Sequence, residues 1–206
     1  MAPRKYDLGR RRAAAEQTQQ RILHAVRALV AARETPETVT MESVARKAGV
    51  ARMTVYYQFE SRSGLLEALA DDLAAKGGMA NLAGAFREPD PAKAVRRFVR
   101  TFVEFWASDR IVLRRLRALG ILFPALSQRI RGRDAWRREG ARNLLGKLGI
   151  PERASGGLSP DEAADLLSAL SSFETFDALC EGRRTPDVVA ELLGAAALTL
   201  LGIPAN

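Results

Sequence analysis

Several things are scarce in this 206-residue sequence, and each scarcity narrows what the chain does. A single cysteine, Cys180, rules out an internal disulfide framework. A single histidine, His24, has neither a second histidine nor an acidic cluster nearby, so it points to no metal or catalytic role. No Gly-rich phosphate loop and no metal-ligand spacing occur, which argues against enzymatic chemistry. No run approaches 18 apolar residues, so no membrane span is expected. The first residues, MAPRKYDLGRRRAAAEQ, contain no apolar stretch of the secretory kind. Together these features lead us to expect a cytoplasmic protein with no cofactor and no metal. Alternating Val/Ile/Thr segments are also missing, which leaves little room for strands.

What is present is basic and helical. The formal net charge is +8, from 32 Lys and Arg against 24 Asp and Glu. The first 12 residues, with Arg4, Lys5, Arg10, Arg11 and Arg12 against one acid, carry the whole cationic excess of the N-terminal part. Such a tail is either an electrostatic footprint for a polyanion or a solubilising segment. Apolar residues recur at spacings of three and four, predicting helices near 17–33, 40–48, 51–58, 61–76, 91–108, 110–121, 123–148, 161–180 and 186–202. Thr35-Pro36, Gly77-Gly78 and the polar turn at 153–160 punctuate them. Asp90-Pro91 and Thr185-Pro186 read as helix starts, and Ser159 with Glu162 forms a capping box. The fold class is therefore all-α. We expect a flexible basic arm over 1–16, a helix-turn-helix domain over 17–77 and a second helical domain over 78–206.

The stretch from Thr40 to Phe59 has the length and punctuation of a helix, a tight turn at Gly49 and a second helix. Val55 and Phe59, four apart, share the face assigned to the core. Counting 100° per residue, Met53 and Tyr57 then fall opposite, with Thr54 and Tyr56 on the flanks and Arg52 in the first turn. Tyrosine and threonine hydroxyls and an arginine suit phosphate oxygens and base edges. Thr40 and Arg62, each beside a helix start, add further phosphate donors.

Three segments, RILHAVRAL (21–29), TMESVARKAGV (40–50) and TVYYQFESRSGL (54–65), resemble the N-terminal domain of the TetR family of bacterial transcription regulators. Three departures are visible: Ala51 stands where the family often has Ser, Gln58 where it commonly has His, and the Gly that usually ends the first helix is replaced around Thr35-Pro36. The resemblance implies DNA contact by Arg52, Met53, Thr54, Tyr56 and Tyr57, and phosphate contact by Thr40 and Arg62. It implies a homodimer reading a palindromic operator in double-stranded DNA, most often as a repressor released by a small-molecule effector.

In the second domain, Phe98, Phe102 and Phe105 share one helix face with Trp106 beside them. Phe123, Trp136, Phe173 and Phe176 lie on other helices that could converge there. The set reads either as core or, by the resemblance, as the wall of an effector pocket for an apolar or aromatic molecule. Arginines crowd 96–117 and 129–142; most suit solvated faces, and one or two turned inward would suit an anionic ligand. Near the C-terminus, Leu166 and Leu170, then Val189, Leu192, Leu193, Ala196 and Leu200, form apolar stripes suited to a two-fold four-helix interface. A helical enzyme or carrier with a basic surface, and a non-specific architectural DNA binder, are the competing readings.

Overall fold

The structure is a computed structural model describing residues 8–32, 39–149 and 157–204. Among the described residues it has eleven α-helices and no strand, the all-α class that the periodicity predicts, with two helices more than the nine expected. The chain divides into two compact units. One runs to Asp72 and takes in Arg114–Leu126; the other comprises Leu73–Leu113 and the residues from Ser127 onward.

In the N-terminal unit, α1 (Leu8–Ala31) buries Ile22, Leu23, Val26 and Val30 as one stripe. It begins well before the expected 17, so residues 8–16 are helical where a flexible arm was expected. Helix α2 (Met41–Ala48) starts at Thr40, whose hydroxyl accepts the Ser43 N–H at 3.0 Å. The Ser43 hydroxyl oxygen in turn accepts the Thr40 N–H at 2.9 Å, closing a reciprocal cap. Gly49 ends the helix at φ 65°, a left-handed conformation that costs glycine little. The third helix, α3 (Arg52–Phe59), follows directly, with no side-chain cap from Ala51. Helix α4 (Arg62–Lys76) then buries Leu65, Leu66 and Leu69.

The segment Arg114–Leu126 joins this unit although it is distant in sequence. Arg115 donates to the backbone carbonyl oxygens of Val30 and Ala32 at the end of α1. Those are carbonyls a helix terminus leaves unsatisfied, so the guanidinium caps α1 from outside.

The C-terminal unit is built around α6 (Pro91–Ser108), which opens on the Asp90 cap and packs against α5 (Leu82–Arg87), α10 (Phe173–Glu181) and α11 (Pro186–Leu200). It buries ten of its residues and leaves Lys93, Arg97 and Glu104 exposed along one stripe, the pattern of a helix covered on all but one side. Helices α7 (Arg110–Gly120), α8 (Pro124–Lys147) and α9 (Pro160–Leu170) complete the chain. Two features depart from expectation. Helix α5, six residues after a 3-10 turn at Met79–Asn81, is too short to show periodicity. The expected helix 161–180 is two helices, because Ser172 caps α10 by accepting the Thr175 N–H. That break leaves the Ser171 carbonyl oxygen to accept the buried Trp106 indole N–H at 2.9 Å. Gly77 is buried where a Cβ would strike the Phe105 ring and lie 2.9 Å from the Leu73 carbonyl oxygen.

Candidate nucleic-acid interface

Helix α3 is seated by Val55 and Phe59, both buried, which fixes the direction of everything else on it. Tyr57, 82% exposed, and Met53, 56% exposed, face away from the core. Tyr56 and Thr54 are half-buried on the flanks and Arg52 is exposed. This is the facing that the 100° count predicts. Sequence reasoning did not foresee that Arg52 and Tyr56, four apart, meet: Arg52 Nη2 donates to the Tyr56 hydroxyl oxygen at 3.2 Å. The guanidinium carbon stands 5.4 Å from the ring centroid. The hydrogen bond to Tyr56 holds the guanidinium above its ordinary pKa, so its cationic form is secure. The Tyr56 oxygen accepts from arginine, so its proton is the part left to offer a partner.

Two expected phosphate contacts are differently engaged. The Thr40 hydroxyl oxygen is committed to the cap of α2, leaving its proton as the only donor. Arg62 is half-buried, its guanidinium carbon 4.7 Å from the centroid of the Phe123 ring within the same unit. Stacking on Phe123 competes with reaching outward, because one planar group cannot do both at full extent. Of the basic residues near the N-terminus, Arg12 is exposed and donates to Glu16 at 2.9 Å. Arg4 and Lys5, and the side chains of Arg10 and Arg11, lie outside the described residues.

The aromatic residues of the C-terminal unit divide. Phe98, Phe102, Phe105, Trp106, Phe173 and Phe176 are buried in one continuous cluster. Ring centroids lie 5.0 Å apart for Phe98 and Phe102, 4.5 Å for Phe105 and Trp106, and 5.6 Å for Trp106 and Phe173. The other two do not join them: Phe123 belongs to the N-terminal unit under Arg62, and Trp136 is exposed. Sequence reasoning missed Arg137, only 6% exposed, which donates to the Ser168 carbonyl oxygen at 3.3 Å and to Asp134 at 2.7 Å. Cys180 is buried, and burial pushes its thiol pKa up, which makes it a poor nucleophile.

The apolar pairs of α11 separate in the same way. Leu192 and Leu200 are exposed, together with Val188, while Ala196, Leu166 and Leu170 are half-buried. Val189 and Leu193 are buried in the protomer's own core, so they correct the interface set proposed from sequence. Adjacent helix positions point about 100° apart, so one member of each pair turns inward.

No helix among the described residues is long and apolar enough to cross a membrane, and no group of three or more His, Cys, Asp or Glu there could hold a metal. The two short helices joined at Gly49, with one outward polar and aromatic face, define a helix-turn-helix domain joined to an all-helical unit. Residues 22–69 match the family described as bacterial regulatory proteins, tetR family.

Solved structures share the whole-chain fold. One is NalD, the secondary repressor of the MexAB-OprM multidrug efflux pump in Pseudomonas aeruginosa. It is 22% identical with a TM-score of 0.70, over 90% of this chain and 96% of that one. A transcriptional regulator from Rhodococcus sp. Rha1 is 20% identical with a TM-score of 0.69, over 89% and 96%. A TetR-like transcriptional regulator from Rhodococcus sp. RHA1 is 20% identical with a TM-score of 0.67, over 90% and 96%. At these identities the likeness concerns the fold. No curated protein sequence matches the chain.

Proposed function

We propose that the protein is a sequence-specific DNA-binding transcription regulator, acting as a repressor and not as an enzyme. In this reading it binds a palindromic operator as a homodimer in the cytoplasm and is released by a small molecule. The observation that carries the proposal is the outward face of α3, where Arg52, Met53, Tyr56 and Tyr57 stand together on a helix seated by Val55 and Phe59. A recognition helix needs this division between a seating face and a reading face. The N-terminal domain supplies the reading surface, assisted by the basic residues Arg4, Lys5, Arg10, Arg11 and Arg12 near the N-terminus. The C-terminal domain supplies effector sensing and dimerisation.

Dimerisation uses the exposed stripe of Val188, Leu192 and Leu200 with the half-buried Leu166 and Leu170. Two copies place two α3 helices about one DNA turn apart, roughly 34 Å, which is the spacing of palindromic half-sites. An effector in the C-terminal domain alters that spacing through the chain of α4 and α7, each of which begins in one unit and ends in the other. Coupling of this kind is worth roughly 1–3 kcal/mol.

The test is selection of bound duplexes from a random pool, followed by titration of the winner against non-specific competitor. A palindromic consensus bound on the order of 10³-fold or more above competitor is expected. A specificity ratio near one would show a non-specific architectural binder. No binding at low salt would remove the DNA-binding reading altogether.

A further inference from the structure

The C-terminal unit holds an open cleft of about 610 Å³, walled by the 3-10 turn and α5 on one side and by α6 on the other. Its lining differs in kind from the aromatic cluster in the same unit. On α6, Arg97, Thr101 and Glu104 share a face because they stand four and seven residues apart, with Arg100 beside them. On α5, Gly84 and Arg87 share a face by the same rule, three apart.

Arg97 is placed by Gly84. A Cβ at residue 84 would lie 2.9 Å from Arg97 Nε and 3.0 Å from its Cζ, so the bare glycine lets the guanidinium lie along α5. Arg97 Nη1 reaches the Gly84 carbonyl oxygen at 3.5 Å, a long contact that leaves the rest of the fork of donors unspent. Among the described residues neither Arg97 nor Arg87 meets a carboxylate. Arg100 differs: it donates to Asp187 at 3.2 Å and to Glu191 at 2.5 Å, tying α6 to α11. Of the two acids in the walls, Glu88 accepts the Asp90 N–H at 3.3 Å, and Glu104 is exposed. Two unspent guanidinium forks thus face the cleft, together with the carboxylates of Glu88 and Glu104.

We propose that this cleft binds a small polyanion carrying phosphate or carboxylate groups, gripped by Arg97 and Arg87. Planar guanidinium forks match oxyanions in pairs of hydrogen bonds. Glu104 and Glu88 oppose the anion and set an upper limit on its affinity. An oxyanion deep in the cleft also competes for Arg100 with Asp187 and Glu191, so binding bears on the α6–α11 contact. The site reaches beyond the proposed function, and binding at it does not depend on DNA reading.

Calorimetric titration of the full chain with pyrophosphate and, separately, with citrate tests this, at ionic strength held constant with sodium chloride. Saturable one-to-one binding of at least one anion is expected, and which one binds separates phosphate from carboxylate chemistry. Losing a charged hydrogen-bond partner predicts about tenfold weaker binding in R97A and in R87A. Removing one opposing charge in E104Q tightens binding about threefold. Should R97A fail to fold, R97K keeps the charge without the fork and binds more weakly than the parent. Absence of saturable heat with both anions overturns the proposal. So does binding that R97A (or R97K in its place) and E104Q leave unchanged.

Discussion

Helices α3 and α6 are both rich in rings, and they dispose of them in opposite directions. On α3, two adjacent tyrosines stay at or near the surface, and Tyr57 is almost wholly exposed. On α6, Phe98, Phe102, Phe105 and Trp106 are all buried, and the indole N–H that would resist burial is satisfied by Ser171. Residue type contributes to the difference, because each tyrosine keeps a hydroxyl that burial would have to match. Surroundings contribute more. Helix α3 is seated through Val55 and Phe59 alone, whereas α6 has α5, α10 and α11 around it. Apart from a seating ring such as Phe59, a ring therefore goes inward where several helices can cover it and stays out where only one side is covered.

The comparison can be broken most forcefully at Phe98. Its replacement by Ala empties a fully buried position and is expected to destabilise the fold by about 3–5 kcal/mol. Urea unfolding measures this, and a loss below ~1 kcal/mol would mean that α6 is not the core helix described. Next in size is Leu192→Glu on the outer face of α11. Within the protomer it should change stability by no more than ~0.5 kcal/mol, yet a charge in a buried interface costs several kcal/mol. On the proposed interface, sedimentation should show a dimeric parent and a monomeric variant; a variant as dimeric as the parent would place the interface elsewhere. The smallest effects belong to Tyr57→Phe and Tyr56→Phe, each leaving folding within ~0.5 kcal/mol of the parent. Each should weaken operator binding by about 0.5–1.5 kcal/mol, read as a shift in half-saturation. Unchanged binding by both would mean the hydroxyls touch nothing.

The helix-turn-helix was legible in the sequence because its determinants are local. Thr40, Gly49, the uncapped start at Ala51 and the Val55/Phe59 spacing all act within a few residues of themselves. The starts at Asp90, Ser159 and Thr185 were legible for the same reason. What escaped depends on residues far apart in the chain. Ser171 and Ser172 look like ordinary helix residues until the Trp106 indole arrives to use the carbonyl their break leaves open. Arg62 reads as a free cation until Phe123 is brought beneath it, and Arg115 reads as a surface charge until the end of α1 needs donors. In α11, the paired apolar residues gave the stripe but not which member of each pair turns inward. That choice belongs to α6, which the α11 sequence does not encode.

The contact between Arg52 and Tyr56 has a kinetic and entropic side. A free arginine gives up about 2 kcal/mol of rotamer freedom when a partner fixes it. Resting against the Tyr56 ring and hydroxyl, Arg52 has surrendered part of that freedom already. A partner arriving at α3 thus meets a donor fork held near one orientation, and the ordering that remains to be done on contact is correspondingly small.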